Sequence, residues 1–386
     1  MFKRHLNISD LLKNMSFFLL GPRQTGKSTL ISESLPDAFL IDLLVRRTFQ
    51  QLAANPDLLS DWVESTEKQV IVIDEIQKLP ALLDVVQRIM FESRGSRRFV
   101  LTGSSARKLK REGVNLLGGR AAQVQMLPLL LSEIDTDKIF EYLQWGTLPS
   151  VVTAQDRRLA LESYVSLYLD QEIRAEGIAR DIEGFAKFLE VAALTNSQQI
   201  NFASLASDVR KSEKTVAQWY SILEDTLVGY LLPCFSGTVK RKAMSAPKFF
   251  FFDCGVANAL LNRFSIQAST PEAAVSLENL VFTHLRGWCS YGPLGRKIYY
   301  WRSVSKIEVD FVLTRDGAPE MAIEVKSSSQ PKPEHFRGLR AFAEEFPECK
   351  KYLLCLCERP YRTEDGIEVV PAGIFLRNGW SQIITV

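Results

Sequence analysis

The run Gly21-Pro22-Arg23-Gln24-Thr25-Gly26-Lys27-Ser28-Thr29 has the residue types and spacing to wrap a chain of phosphates. Its Gly-x-x-x-x-Gly-Lys-Ser pattern needs glycines so that successive backbone N–H groups can turn toward the anion at a helix start. Lys27 then reaches the terminal phosphates, and the Ser28 hydroxyl is a ligand for Mg²⁺. Asp74-Glu75 supplies the complementary acids: Asp74 for the metal ion, Glu75 to orient and polarise an attacking water. That second role is a hydrolase's requirement rather than a kinase's. The pair closes the apolar run Val70-Ile-Val-Ile73. A polar cluster, Thr102-Gly103-Ser104-Ser105, ends a further apolar run, and Ser104 is the first choice to sense the γ-phosphate, with Thr102 and Ser105 as alternatives. Arg120, after Leu117-Gly118-Gly119, is placed either to lend positive charge to a neighbouring subunit's nucleotide or to form a structural ion pair.

A second constellation lies near the other end of the chain. Asp310 stands inside EVDFVL, and Glu324 and Lys326 stand in IEVKSS, one residue apart and so on one strand face. With Glu278, which opens the helical stretch ENLVFTHLRGW, this is the Asp…Glu-x-Lys pattern of a metal-dependent phosphodiesterase core. Asp310 and Glu324 would bind Mg²⁺, Glu278 would complete the shell, and Lys326 would stabilise or activate hydroxide. The alternative is a buried salt-bridge cluster in a nuclease-like fold that no longer cleaves.

These side chains need elements to hold them. Phe17–Leu20 reads as a strand entering the glycine loop, with a helix from Thr29 to about Ser34 leaving it. Val70–Ile73 reads as a buried parallel strand, whose carboxyl end is where open α/β sheets bind ligands. Arg98–Thr102 and Ala122–Met126 read as further strands. Three- and four-residue spacing of apolar positions predicts helices from about Gln155 to Leu194. Two short helices, Ala203–Val209 and Ser212–Leu223, then a strand at Val228–Pro233, follow the order of a winged helix-turn-helix. Lys214, Thr215, Gln218 and Lys240-Arg241-Lys242 are its candidate phosphate or groove contacts. Strands are expected at Lys297–Ser303, Ile307–Thr314 and Met321–Lys326, the last two joined through Arg315-Asp316-Gly317.

Composition narrows the classes. The chain has 386 residues, 46% hydrophobic and 24% charged, which excludes disorder and allows several domains. Forty-seven basic and 45 acidic residues give a net charge of +2, so any basic site is local. No run approaches the roughly 18 apolar residues of a membrane span. The N-terminus does not read as a cleavable signal peptide. The six cysteines lack metal-ligand spacing and read as reduced core thiols, with Cys355 and Cys357 on one strand face; the three histidines are scattered. Those features give a cytoplasmic expectation.

GPRQTGKST, VIVIDEIQK, FVLTGSSA, LLGGR, YYWRS, EVDFVL and IEVKSSS together resemble the prokaryotic AAA-type ATPases that carry a C-terminal domain of unknown function (the 4143 group), along essentially the whole chain. The resemblance implies an α/β protein: a RecA-like AAA P-loop core of the additional-strand, catalytic-glutamate type, a helical lid and winged helix, and a restriction-endonuclease-like C-terminal domain. The corresponding divisions are 1–135, 136–195, 196–248 and 249–386. Loop residues depart from the family pattern at Trp145-Gly-Thr-Leu-Pro149 and before Glu308. The expectation is an Mg²⁺-dependent ATPase acting on DNA, with ATP across the strand ends and sites completed between subunits of a homo-oligomer, possibly a ring. A nucleotide-dependent switch that binds protein through the winged helix and an inactive nuclease-like fold is the rival.

Overall fold

The computed structural model describes residues 2–105, 117, 121–134, 138–169, 181–236, 246–268, 270–292 and 295–384. The chain divides into two compact units, one of residues 4–127 with 225–228, the other of residues 1–3, 128–224 and 229–386. The second takes in the segments expected as lid, winged helix and nuclease-like domain, apart from residues 225–228.

The first unit is built on a five-stranded parallel sheet of order β2-β3-β4-β1-β5. Its strands are β1 (Ser16–Leu20), β2 (Phe39–Asp42), β3 (Val70–Asp74), β4 (Arg98–Gly103) and β5 (Ala121–Gln125). Continuous apolar runs make this sheet parallel and central: β1 is buried at every position, and β4 at all but its first. Phe18, Ile71, Ile73, Phe99 and Leu101 pack with Leu82, Val86 and Ile89 of the helix Leu82–Glu92. Each fully buried side chain of this kind contributes about 1.5–3 kcal/mol over an exposed one. β4 lies between β1 and β3, so the strand feeding the glycine loop and the strand ending in the acids are separated by one strand carrying Thr102.

In the second unit, helices Phe202–Asp208 and Glu213–Asp225 are followed by an antiparallel pair, β6 (Gly229–Leu232) and β7 (Lys248–Phe251). Asn201 caps the first helix by accepting from the Ser204 N–H. Val216, Trp219, Tyr220 and Leu223 form the buried face of the second helix, with Lys214 and Gln218 exposed on the opposite one. The 21-residue helix Pro271–Tyr291 precedes a mixed six-stranded sheet of order β12-β13-β11-β10-β9-β8. Its strands are β8 (Arg296–Arg302), β9 (Glu308–Arg315), β10 (Ala318–Lys326), β11 (Lys350–Cys355), β12 (Tyr361–Arg362) and β13 (Glu368–Pro371). The pairs β8–β9, β9–β10 and β12–β13 are antiparallel, whereas β10–β11 and β11–β13 are parallel. Helix Arg337–Glu345 covers one face through Leu339 and Phe342.

Local boundaries differ from the sequence reading for identifiable reasons. The P-loop helix begins at Lys27 rather than Thr29, because Gly26 sits in the left-handed region and acts as its N-cap. The helix carrying Glu278 begins at Pro271, capped by Thr270, which moves Glu278 from its start to its interior. β11 ends at Cys355, so Cys357 lies beyond the strand and is half-buried, although the two sulfurs approach to 2.7 Å. Among the described residues no helix is long and apolar enough to cross a membrane.

Candidate functional sites

The glycine loop is fixed by backbone hydrogen bonds and close packing. Gly21 donates to the Gly103 carbonyl at 3.2 Å, while the Met126 N–H reaches the Leu20 carbonyl at 2.7 Å. A Cβ at position 21 would lie 2.3 Å from the Met126 carbonyl oxygen, so only glycine fits there. Gln24 and Gly26 both have positive φ, turning the loop into the start of helix Lys27–Ser34, whose first N–H groups have no partner within the helix. Its N-cap makes no side-chain hydrogen bond. The Thr25 hydroxyl, fully buried, donates to the Pro22 carbonyl at 2.8 Å and locks the turn. The Lys27 ammonium is buried and donates to the Gly21 and Pro22 carbonyls at 2.7 and 3.0 Å. Its charge therefore lies inside the loop. Arg23, Gln24, Ser28 and Thr29 are exposed along the same segment.

The acids at the end of β3 are fastened to β4. The Thr102 hydroxyl donates to Asp74 and accepts the Glu75 N–H at 3.0 Å. Glu75 has φ of 60°, so the chain turns sharply as it leaves the strand. The Gln77 amide then donates to the Glu75 carboxylate and, at 3.2 Å, to the Ser104 hydroxyl. Thr102, Ser104 and Gln77 are all buried. The structure thus brings together Asp74, Glu75, Thr102 and Ser104, four residues singled out from sequence, and adds Gln77. The signal for Gln77 was its place two residues after Glu75 in VIVIDEIQK, where a single turn brings its side chain back. Ser105 is buried and instead donates to the Asp225 carbonyl at 3.3 Å. Arg120 lies outside the described residues, as do Lys240, Arg241 and Lys242.

The second constellation also assembles, with an unexpected member. Asp310 on β9 and Glu324 on β10 follow the cross-strand pair Phe311–Ile323, so they meet on adjacent strands. Lys326 lies 2.6 Å from Glu324 and 3.8 Å from Asp310. Glu278 does not bind them directly. Between it and Asp310 sits the ammonium of Lys248, the first residue of β7, at 3.0 Å from Glu278 and 3.2 Å from Asp310. Lys248 is almost fully buried. Asp310 also accepts the Val325 N–H at 2.9 Å.

The electrostatics follow from this crowding. Burial raises the Glu278 carboxyl to about 7 against the pull of Lys248. Glu324 rises to about 8 through burial and the nearby charge of Asp310. Burial also acts against ionised Asp310, but Lys248, Lys326 and the Val325 N–H outweigh it and hold that carboxyl below its usual range. Both lysines lie above their usual range: burial pulls each down, and the surrounding carboxylates more than reverse it. Among the described residues no group of three or more His, Cys, Asp and Glu side chains is disposed to hold a metal ion.

Three family models match consecutive parts of the chain: an AAA domain over residues 13–135, a domain of unknown function (DUF8612) over 136–267, and a domain of unknown function (DUF4143) over 275–375. An uncharacterized protein of Mycobacterium tuberculosis is 26% identical over 372 residues, covering 94% of this chain and 81% of that protein. An uncharacterized protein of Haemophilus influenzae is 27% identical over 288 residues, 68% of this chain and 66% of that one. One of Methanocaldococcus jannaschii is 23% identical over 339 residues, 78% and 73% respectively. Among solved structures, a DNA polymerase III gamma-subunit-related protein of Thermotoga maritima aligns with 72% of this chain and 83% of its own at 12% identity and a TM-score of 0.22, too distant to carry an argument. The AAA match agrees with the parallel sheet and the glycine loop. It is consistent with a P-loop ATPase and implies nucleotide binding, for which Mg²⁺ is typical.

Proposed function

We propose that the protein is an Mg²⁺-dependent ATPase that uses nucleotide hydrolysis to act on DNA, with Lys27, Ser28, Asp74 and Glu75 as its hydrolytic set. The observation that carries the hydrolytic reading is the fastening of Asp74 and Glu75 to Thr102 on β4, the strand next to the one that feeds the glycine loop. That arrangement gives one open sheet end a phosphate cradle, a metal-side acid and a base-side acid. The backbone N–H groups at the start of helix Lys27–Ser34 receive the phosphates, and Lys27 exchanges its contacts with Gly21 and Pro22 for phosphate oxygens. Ser28 and Asp74 offer the oxygen donors that Mg²⁺ prefers and would hold it, and the ion when bound neutralises charge on the phosphates. Glu75, held by the Gln77 amide, orients the attacking water and draws its proton. Ser104, joined to the same amide, faces the γ-phosphate end of the site in this reading. Arg120 would complete the site of a neighbouring copy in an oligomer.

The DNA part rests on the helix-turn-helix followed by the β6–β7 pair, a winged-helix order, with Lys214 and Gln218 exposed along one side of its second helix. ATPase rates with and without single-stranded, double-stranded and branched DNA, at two salt concentrations, test it. Stimulation that weakens steeply with salt is the expected result, since phosphate contacts release counterions. Lys27→Ala is expected to abolish turnover under every condition. A salt-independent rate untouched by any DNA favours the second reading, a nucleotide-dependent switch that binds protein. Lys248 supports that alternative, because it places a lysine in the middle of the nuclease-like acids.

A further inference from the structure

The sequence pattern puts Asp310 and Glu324 of the C-terminal sheet, with Glu278 of the preceding helix, around a divalent metal. Four of their six oxygens are otherwise engaged. Asp310 gives one oxygen to Lys248 at 3.2 Å and the other to the Val325 N–H at 2.9 Å. Glu278 gives an oxygen to Lys248 at 3.0 Å, and Glu324 gives one to Lys326 at 2.6 Å. The remaining Glu324 oxygen, Oε2, is buried without a partner beside Gly338, whose lack of a side chain leaves room there, but the two ammonium groups already hold an oxygen of each acid in the cluster. An ion such as Mg²⁺ or Mn²⁺ asks for six oxygens at about 2 Å, and entry here means expelling an ammonium first. The residues as arranged do not fit a divalent metal.

Nor is Lys248 a passing visitor. It pairs with Leu232 across β6, bridges to Gln199 on its other side, and is followed by the Phe249 N–H bonded to the Gln198 carbonyl at 2.9 Å. The Tyr300 hydroxyl donates to the Ala246 carbonyl at 2.5 Å, fixing the approach to β7, and the Tyr300 ring lies 5.7 Å from the Lys248 ammonium. Backbone pairing on both edges therefore aims this lysine at Glu278 and Asp310.

We infer that Lys248 is the resident cation of this cluster: its ammonium takes the place of a divalent metal between Glu278 and Asp310, and the cluster ties β7 to the C-terminal sheet as a metal-free brace. This assignment is independent of the ATPase reading, because none of its residues belongs to the nucleotide site. A buried charge left without its partner is strongly unfavourable, so the acids depend on the lysine.

The test uses the full chain without nucleotide, in an Asp74→Asn background that removes the carboxylate of the proposed nucleotide-side Mg²⁺ site, with Mn²⁺ alone as the probe. Binding is read by electron paramagnetic resonance and stability by thermal unfolding. With Lys248 present, no Mn²⁺ uptake that depends on Asp310 is expected. Lys248→Met is expected to melt at lower temperature and to gain an Mn²⁺ site, with Mn²⁺ restoring part of the lost stability and Asp310→Asn abolishing that gain. Mn²⁺ bound by the chain with Lys248 intact, and lost in Asp310→Asn, overturns the inference. So does a Lys248→Met variant that is as stable as its parent and still takes up no Mn²⁺. If Lys248→Met does not fold, the comparison of the Lys248 chain with Asp310→Asn decides alone.

Discussion

Gln77 offers the most exacting check on how the proposed hydrolytic site is organised. Its amide donates to Glu75 and to Ser104, while its own carbonyl oxygen is buried without a partner. Gln77→Leu removes both donations at nearly constant volume. A hydrogen bond to a charged group contributes about 1.5–3 kcal/mol net. If that energy holds Glu75 in its working orientation, its loss lowers the competent population, and kcat with it, by about 10- to 150-fold. KM for ATP should stay near the wild-type value, because Gln77 is not among the glycine-loop contacts. Stability should change little: the lost bonds are offset by removing a buried orphan carbonyl whose burial costs about 1–3 kcal/mol. Steady-state ATPase kinetics with a thermal melt on the same sample measure all three. In a Glu75→Gln background the Gln77→Leu effect should shrink to what its bond to Ser104 contributes, since the part acting through Glu75 is lost with it. A kcat within threefold of wild type, a kcat increase, or an equal loss in both backgrounds refutes the positioning role.

Other outcomes follow from single contacts. Gly21→Ala forces a Cβ to within 2.3 Å of the Met126 carbonyl oxygen, so it should destabilise the first unit by about 1–3 kcal/mol and impair ATP binding; a full-strength binding isotherm contradicts the close approach. His284 is buried, its Nε2 accepting the Leu131 N–H at 2.7 Å and its Nδ1 facing the Leu280 carbonyl at 2.8 Å, and burial pushes its pKa down from 6.5 to about 4. The unfolded chain therefore binds a proton below pH 6.5 that the folded one refuses until about pH 4, so stability falls as pH falls through that window. By pH 5 the loss is about 2 kcal/mol, seen as a steeper decline in denaturant midpoint between pH 7 and 5 than His284→Gln shows. Identical declines remove the histidine from the account.

Much of this arrangement was legible because its signals are local. The glycine loop, the Val70–Ile73 run ending in acids and the Thr102–Ser105 cluster each announce themselves within a few neighbouring residues, and the sheet sets them side by side. β2 was not read: it is a short edge strand with Leu40 exposed, so its pattern lacks the continuous apolar run of a buried strand. β12 and β13 escaped for a similar reason, since β12 has two exposed residues and β13 alternates. Lys248 was invisible for a different cause. It opens the run Lys-Phe-Phe-Phe-Phe, where a lysine reads as a solvent-facing strand end, and its partners Glu278 and Asp310 lie 30 and 62 positions away. Only tertiary pairing of β7 with β6 and Gln199 aims it inward. The Asp310, Glu324 and Lys326 grouping survived translation into structure because strand periodicity alone puts them on one face, but the charge that sits among them comes from a remote element.

The central claim is that ATP is bound at the glycine loop and hydrolysed with the help of Glu75. Parallel measurement of ATP affinity and single-turnover hydrolysis, in Mg²⁺, for wild type and Glu75→Gln tests it most directly. Unchanged affinity and a hydrolysis rate lower by about 100-fold or more are expected, the scale of a lost general base. Hydrolysis by Glu75→Gln at the wild-type rate, or a wild-type chain that binds no ATP, contradicts it.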